Sequence, residues 1–180
     1  MDLYWKSAGA VHTAKTVELA VRKAEEYGIT SIVVASNSGK TAELLAGQVE
    51  NVVCVTHVNG FKEPGVNELT PEQRGILVEK NIKILTTTHV LSGAERGISR
   101  KFGGIYPVEI IANTLKIFGQ GVKVTVEIAV MALDAGLIPY GEDIIAIGGT
   151  GKGADTAVVI RPAHAANILD TYIAEIICKP

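Results

Sequence analysis

The sequence predicts an α/β fold: three layers, α/β/α, around a mostly parallel sheet with an antiparallel edge. Three observations carry this. Short runs rich in β-branched residues, such as Ile32-Val33-Val34-Ala35 and Asn51-Val52-Val53-Cys54-Val55-Thr56, suit strands buried on both faces. Segments of helical period separate them, which implies parallel strands joined by helical crossovers. The last three strand-like runs, 143–147, 156–160 and 172–178, follow one another too closely for helical crossovers, so that edge is expected to be antiparallel.

The elements follow in order. Residues 1–12 show no periodicity, and Tyr4 and Trp5 are expected to pack on the body or on a neighbouring subunit. From Thr13, apolar Val17, Ala20, Val21 and Ala24 recur at i, i+3, i+4 and i+7, and Gly28 stands where a left-handed cap ends a helix. The first strand runs to Ala35. A polar turn follows, Ser36-Asn37-Ser38-Gly39-Lys40-Thr41, then a helix-forming run from Ala42 to Ala46 that Gly47 closes. The second strand leads into a long polar loop, His57 to Thr70. Thr70 caps the next helix, with Pro71 in its first turn and Asn81 at its end.

Lys83 to Thr87 form the third strand. A second long loop is expected from Thr88 to Tyr106, where Arg96, Arg100 and Lys101 stand among Gly93, Gly97, Gly103 and Gly104. Basic residues between glycines suit a lid over an anion, and a solvated surface loop is the plainer reading. Pro107 opens a helix, Gly119-Gln120-Gly121 breaks it, and 122–135 continues it. After strand 143–147 comes the turn Gly148-Gly149-Thr150-Gly151-Lys152-Gly153-Ala154-Asp155. Its glycines fit the letters of a dinucleotide fingerprint, but a strand and not a helix follows, so that motif is rejected. A helical turn near Asn167 and the strand Tyr172 to Cys178 complete the chain.

Length and composition bound the rest. The chain has 180 residues, a hydrophobic fraction of 47% and a net charge of −2, which fits one domain over 1–180. Charges are mixed and no basic stripe exists, so nucleic acid is not expected as a partner. No run reaches the ~18 apolar residues of a membrane span, and the first residues have no signal-peptide core, so no membrane partner and a cytoplasmic location are expected. Cys54 and Cys178 lie in apolar strands and read as buried, reduced thiols.

Four chemically rich loops, 36–41, 57–65, 88–104 and 148–156, each follow the C-terminal end of a strand, where α/β sheets bind ligands. Ser36, Asn37, Ser38, Gly39, Lys40 and Thr41 offer hydroxyls, an amide, a close backbone approach and a charge, as an anion site requires. Gly39-Lys40-Thr41 is not a Walker loop, because Val34 stands where the first glycine is needed. Turn and N-cap roles for Ser36 and Ser38 fit the spacing as well. His57 and His89 fall at rim positions and are the candidate proton donors. No metal-ligand spacing surrounds them, and Ser92 beside His89 leaves a hydrolase pairing open. Glu109 and Glu127 on helices read as solvated or dipole-pairing charges.

The run from Thr16 to Thr56 resembles the C-terminal domain of pyruvate kinase, through Thr16-Val17-Glu18-Leu19-Ala20, Ala24-Glu25-Glu26-Tyr27-Gly28-Ile29 and Ile32 to Ala42. Further matching motifs are His57-Val58-Asn59-Gly60-Phe61, His89-Val90-Leu91-Ser92-Gly93, Arg100-Lys101-Phe102-Gly103-Gly104 with Pro107-Val108-Glu109, and Ala146-Ile147-Gly148-Gly149-Thr150. The chain is similar to stand-alone microbial proteins that carry this domain without the catalytic barrel. The resemblance implies that the 36–41 turn holds a phosphate, as the matching turn holds one of a sugar bisphosphate. It also implies subunit contacts, hence a homo-oligomer, and FMN as a candidate cofactor. The leading expectation is a phosphorylated, ring-bearing small molecule held by residues 36–41, with Arg96, Gly148, Gly149, Thr150 and Gly153 covering it. The alternatives are an enzyme, either a flavin oxidoreductase or a phospho-metabolite enzyme, and a non-enzymatic sensor of a sugar phosphate.

Overall fold

The computed structural model describes residues 4–180, so the reading of Met1 to Leu3 lies outside the described residues. Six strands form one sheet in the order β3-β2-β1-β4-β5-β6: β1 Ser31–Ala35, β2 Asn51–Val55, β3 Lys83–Leu85, β4 Ile144–Gly148, β5 Thr156–Arg161 and β6 Tyr172–Cys178. The first four are mutually parallel, β5 pairs antiparallel with β4 and β6 antiparallel with β5, the antiparallel edge that the sequence predicts. The strand order reverses between β1 and β4, which pair with Ile32 opposite Ile145 and Val34 opposite Ile147.

Alternation along each strand divides the core. Ile32, Val34, Val52, Cys54, Ile145 and Ile147 face α1 (Thr13–Tyr27) and α3 (Pro71–Glu79). Val33, Val53, Val55, Ile144, Ala146, Val158 and Ile160 face α6 (Gln120–Asp134). Helices therefore cover both faces, which is why β1, β2 and β4 are apolar apart from the first residues of two of them, Ser31 and Asn51. The caps form where the sequence puts them. Gly28 takes φ 65°, and the Thr70 side chain accepts the Gln73 N–H at 3.2 Å. Trp5 packs on the core and donates Nε1–H to the Asp155 carbonyl at 2.7 Å, while Tyr4 is exposed.

Two expectations fail. The helix from Ala42 to Ala46 is one turn only, α2 (Lys40–Glu43), and the chain continues in three-residue turns. Leu44, Leu45, Ala46 and Gln48 each donate to the residue three before them. That tighter pitch turns Ala42 and Leu45, three apart, both into the core. The loop expected over 88–106 holds a helix, α4 (Gly93–Phe102). Glycines hid it: Gly97 sits inside, tolerated because Ala94, Glu95, Arg96, Arg100 and Lys101 are good helix formers. α4 packs beside α5 (Pro107–Leu115), whose end tightens before Gly119 opens α6.

Candidate functional site

Because β1 to β4 are parallel, the segments that follow them emerge at one rim. The 36–41 and 148–155 segments leave the adjacent strands β1 and β4, at the point where the strand order reverses, the usual ligand crevice of such sheets.

Ser36 is buried, and its Oγ accepts the Thr41 N–H at 3.2 Å, so it closes the turn. Gly39 takes φ 81°, and a β-carbon there would meet Gln73 Cγ at 2.8 Å and Leu69 Cδ1 at 3.0 Å. Its bareness thus serves packing against α3. Ser38 and Lys40 are exposed, Asn37 is half-buried and Thr41 is buried. The backbone N–H groups of Asn37, Ser38, Gly39 and Lys40 make no hydrogen bond among the described residues. With only one turn of helix behind them, no macrodipole adds to these four donors.

The 148–155 turn folds onto the N-terminal segment. Asp155 is fully buried, and its Oδ2 accepts the Gly9 N–H at 3.0 Å and the Thr150 N–H at 3.2 Å. Its Oδ1 accepts the Thr156 hydroxyl at 2.8 Å. A β-carbon on Gly149 would stand 2.4 Å from the Gly153 carbonyl, and one on Gly153 2.4 Å from Thr13 Oγ1. Gly148, Gly149 and Gly153 are therefore close-packing positions, and Thr150 is exposed. Arg96 is exposed on α4, so it belongs to a helix and not to the expected glycine-rich lid.

At the ends of β2 and β3 the aromatic rings of His57, Phe61 and His89 meet. His57 stacks on Phe61 with centroids 3.7 Å apart, and His57 and His89 lie 5.6 Å apart. His57 Nδ1 contacts Glu68 Oε2 at 2.5 Å, and Lys62 pairs with the same carboxylate. Burial alone would raise the Glu68 carboxyl. The hydrogen bonds from Lys62 and His57, with their charges, outweigh it and hold the group below its ordinary range. His89 Nε2 accepts the Val58 N–H at 3.3 Å, not a bond from Ser92, which opens α4; the hydrolase pairing does not form. Burial pushes the His89 imidazole below its ordinary value. The His57 and Lys123 charges push the same way, against Glu127 and a backbone hydrogen bond to Thr56.

Glu127 corrects the sequence reading: it is buried, not solvated. Its Oε2 pairs with buried Lys123 at 2.5 Å, and its Oε1 accepts the Leu91 N–H at 3.0 Å. Glu109 accepts the Ser99 hydroxyl at 2.9 Å, tying α5 to α4. The signal for Lys123 and Glu127 was present. A helix apolar on every side is buried all round, so its few charges are buried with it. Glu68 had no such signal, because its partner stands 11 residues away across an irregular loop. Among the described residues no group of three His, Cys, Asp or Glu stands ready to hold a metal ion, and no helix is long and apolar enough to cross a membrane. A cleft of about 400 Å³ lies between α1 and Leu44, away from this rim.

Solved structures similar to this chain include pyruvate kinases. One from Cryptosporidium parvum is 16% identical over 87% of this chain and 23% of its own, with a TM-score of 0.45. The same organism's pyruvate kinase in complex with ADP is 17% identical over 86% of this chain and 24% of its own, with a TM-score of 0.41. The chain thus spans under a quarter of their length. The family model for the pyruvate kinase alpha/beta domain matches residues 14–160, from the first turn of α1 to the end of β5, and the chain belongs to that family.

Proposed function

We propose that this chain binds a phosphorylated small molecule, FMN first among the candidates, at the rim of its parallel strands. The observation that carries the reading is the row of four free backbone N–H groups at 37–40, flanked by exposed Ser38 and Lys40 at the strand-order reversal. Amides aligned in a turn, with a hydroxyl and an ammonium, suit a dianionic phosphate. The rings of His57, Phe61 and His89, beyond the next strand end, suit the flat part of such a molecule. A flavin has both parts. An enzymatic role, as a flavin oxidoreductase or a phospho-metabolite enzyme, is favoured by the His57–Glu68 pair at the same rim.

The two buried free thiols favour a reducing compartment, the cytoplasm. The exposed apolar Ile98, Phe102, Ile105, Ile110, Ile117 and Phe118 of the α4–α5 region favour assembly into a homo-oligomer.

Native mass spectrometry of the freshly purified protein tests the reading, since it reports retained ligand mass and subunit count together. A flavin mass and a yellow protein support it, and bleaching by a reduced nicotinamide then assigns an oxidoreductase. A colourless protein that sugar phosphates stabilise and FMN does not would assign the site to effector sensing instead. Failure of both FMN and sugar phosphates to bind would overturn the proposal.

A further inference from the structure

The hydrogen bonds at the rim separate two histidines that the sequence could not tell apart. His89 Nε2 is occupied by the Val58 N–H. That bond needs a lone pair, so the ring is neutral with its hydrogen on Nδ1. Its loop is held from behind as well, where Glu127 receives the Leu91 N–H. His57 is arranged the other way. Its Nδ1 faces an ionised carboxylate, Glu68, which only accepts, so Nδ1 carries the hydrogen. Its Nε2 makes no hydrogen bond among the described residues. Phe61, stacked on one face, fixes the plane of the ring. The His57 side chain keeps 26% of its surface exposed, enough for a ligand to touch.

We propose that His57 Nε2 is the proton-transfer atom of this site, with Glu68 as its positioning residue and His89 as part of the frame. This rests on the reading of the rim as a ligand site. Register sets the reach: Ala35 lies opposite Val55, so Ser36 and Thr56 leave neighbouring strands ~5 Å apart, and His57 is the next residue. A phosphate on the 36–41 turn leaves the body of a small molecule facing His57. The substrate class is a phosphorylated compound with an acidic C–H or O–H a few bonds from its phosphate. The Nε2 lone pair forms an N–H bond as that bond breaks, and the electron pair stays on the substrate. The resulting imidazolium keeps its Nδ1–H on Glu68, and the reverse step returns the proton. The step consumes no oxidant, reductant or other co-reactant.

Diethylpyrocarbonate, which acylates neutral imidazole nitrogens, tests this on the full chain with peptide mass mapping. His57 reacts faster than His89. At a pH where both rings are neutral, Glu68→Ala slows acylation of His57 at Nε2, because the ring hydrogen moves there and takes the lone pair, and leaves His89 unchanged. Glu68→Ala also shifts the neutral His57 ring from its Nδ1–H to its Nε2–H form in nitrogen NMR, a change that loss of packing alone does not produce. Saturating FMN protects His57. Equal reaction of both histidines, no effect of Glu68→Ala, or bound FMN without protection each overturns the proposal. Selective, Glu68-dependent reaction of His57 in a protein that binds no FMN sinks the flavin reading and upholds the His57–Glu68 assignment.

Discussion

Gly121 in the first turn of α6 lies directly against Thr156 at the start of β5: a β-carbon on Gly121 would stand 2.0 Å from Thr156 Oγ1 and 2.5 Å from its Cβ. Gly148, at the end of β4, is also close, its missing β-carbon 2.8 Å from the Gly121 carbonyl. The start of α6 thus rests on the ends of two strands at the rim. That contact positions Lys123 and Glu127, which lie two and six residues further along the helix.

Gly121→Ala should therefore destabilise the fold by about 3 kcal/mol, the upper range for overpacking. A chain of this size then melts ~6–12 °C lower. Gly75 supplies the control. It sits inside α3 with open space where a β-carbon would go, so Gly75→Ala should stabilise by ~0.5–1 kcal/mol. Thermal melts of both variants check the pair, and equal shifts would refute the packing account.

The Lys123–Glu127 pair predicts strong coupling. Lys123→Met leaves a buried carboxylate with only the Leu91 N–H, and Glu127→Gln leaves a buried ammonium without its anion. Each single change should cost about 3–5 kcal/mol. The double variant should cost much less than the sum, because neither charge is then stranded. Urea titrations give the cycle. Hydrogen exchange at Leu91 should accelerate most in a variant that removes the acceptor altogether, Glu127→Leu.

How far the sequence carried depends on what each residue had to meet. Gly28 and Thr70 are legible because a helix end is a local problem with few solutions. The four inner strands are legible because burial on both faces leaves nearly unbroken apolar runs. The helix Gly93–Phe102 was hidden because glycine content outweighed its short apolar stripe, Ile98 and Phe102. The single turn at Lys40–Glu43 was hidden because propensity cannot anticipate that Ala42 and Leu45 must both face inward. The glycines of 148–155 are expected to cover a ligand, from their place at the rim and the family resemblance. Only the fold brings Gly9, Ala10 and Thr13 against them.

His89 predicts a pH dependence. Its folded ring titrates below the ordinary 6.5, so between the two values the unfolded chain binds more protons. Stability from this group is full above about 6.5 and falls as pH drops through the folded value. Protonation also removes the lone pair that holds the Val58 N–H. His89→Gln, which retains an acceptor, should flatten the curve in that window. The losses from Glu43 and Glu68, both depressed, should remain below 4.5. Denaturant midpoints across the window decide it.

The thiols should be silent in the folded protein. Burial pushes Cys54 up to about 12, only partly offset by the charge of Arg74, and burial raises Cys178 as well. A thiol-specific disulfide reagent at neutral pH should titrate neither in native buffer and both in denaturant. Rapid native labelling of Cys54 would contradict the close packing of β2 against α3.

The phosphate turn can be tested without touching its packing. Gly39→Ala is the wrong probe, since it collides with Gln73, Leu69 and Leu77 and any lost binding would follow from distortion. Ser38 and Lys40 are exposed and make no side-chain bond or ion pair among the described residues. The double change Ser38→Asp with Lys40→Glu should therefore leave the melting temperature unchanged within about 0.5 kcal/mol of stability. It also sets two negative charges beside the free N–H groups of 37–40, where a phosphate would have to sit. Repulsion together with the lost ammonium should weaken FMN at least about 100-fold, near 3 kcal/mol on the scale of charge-assisted hydrogen bonds. Calorimetric titration of wild type and double variant measures the ratio. Equal affinity at equal stability would move the phosphate away from this turn.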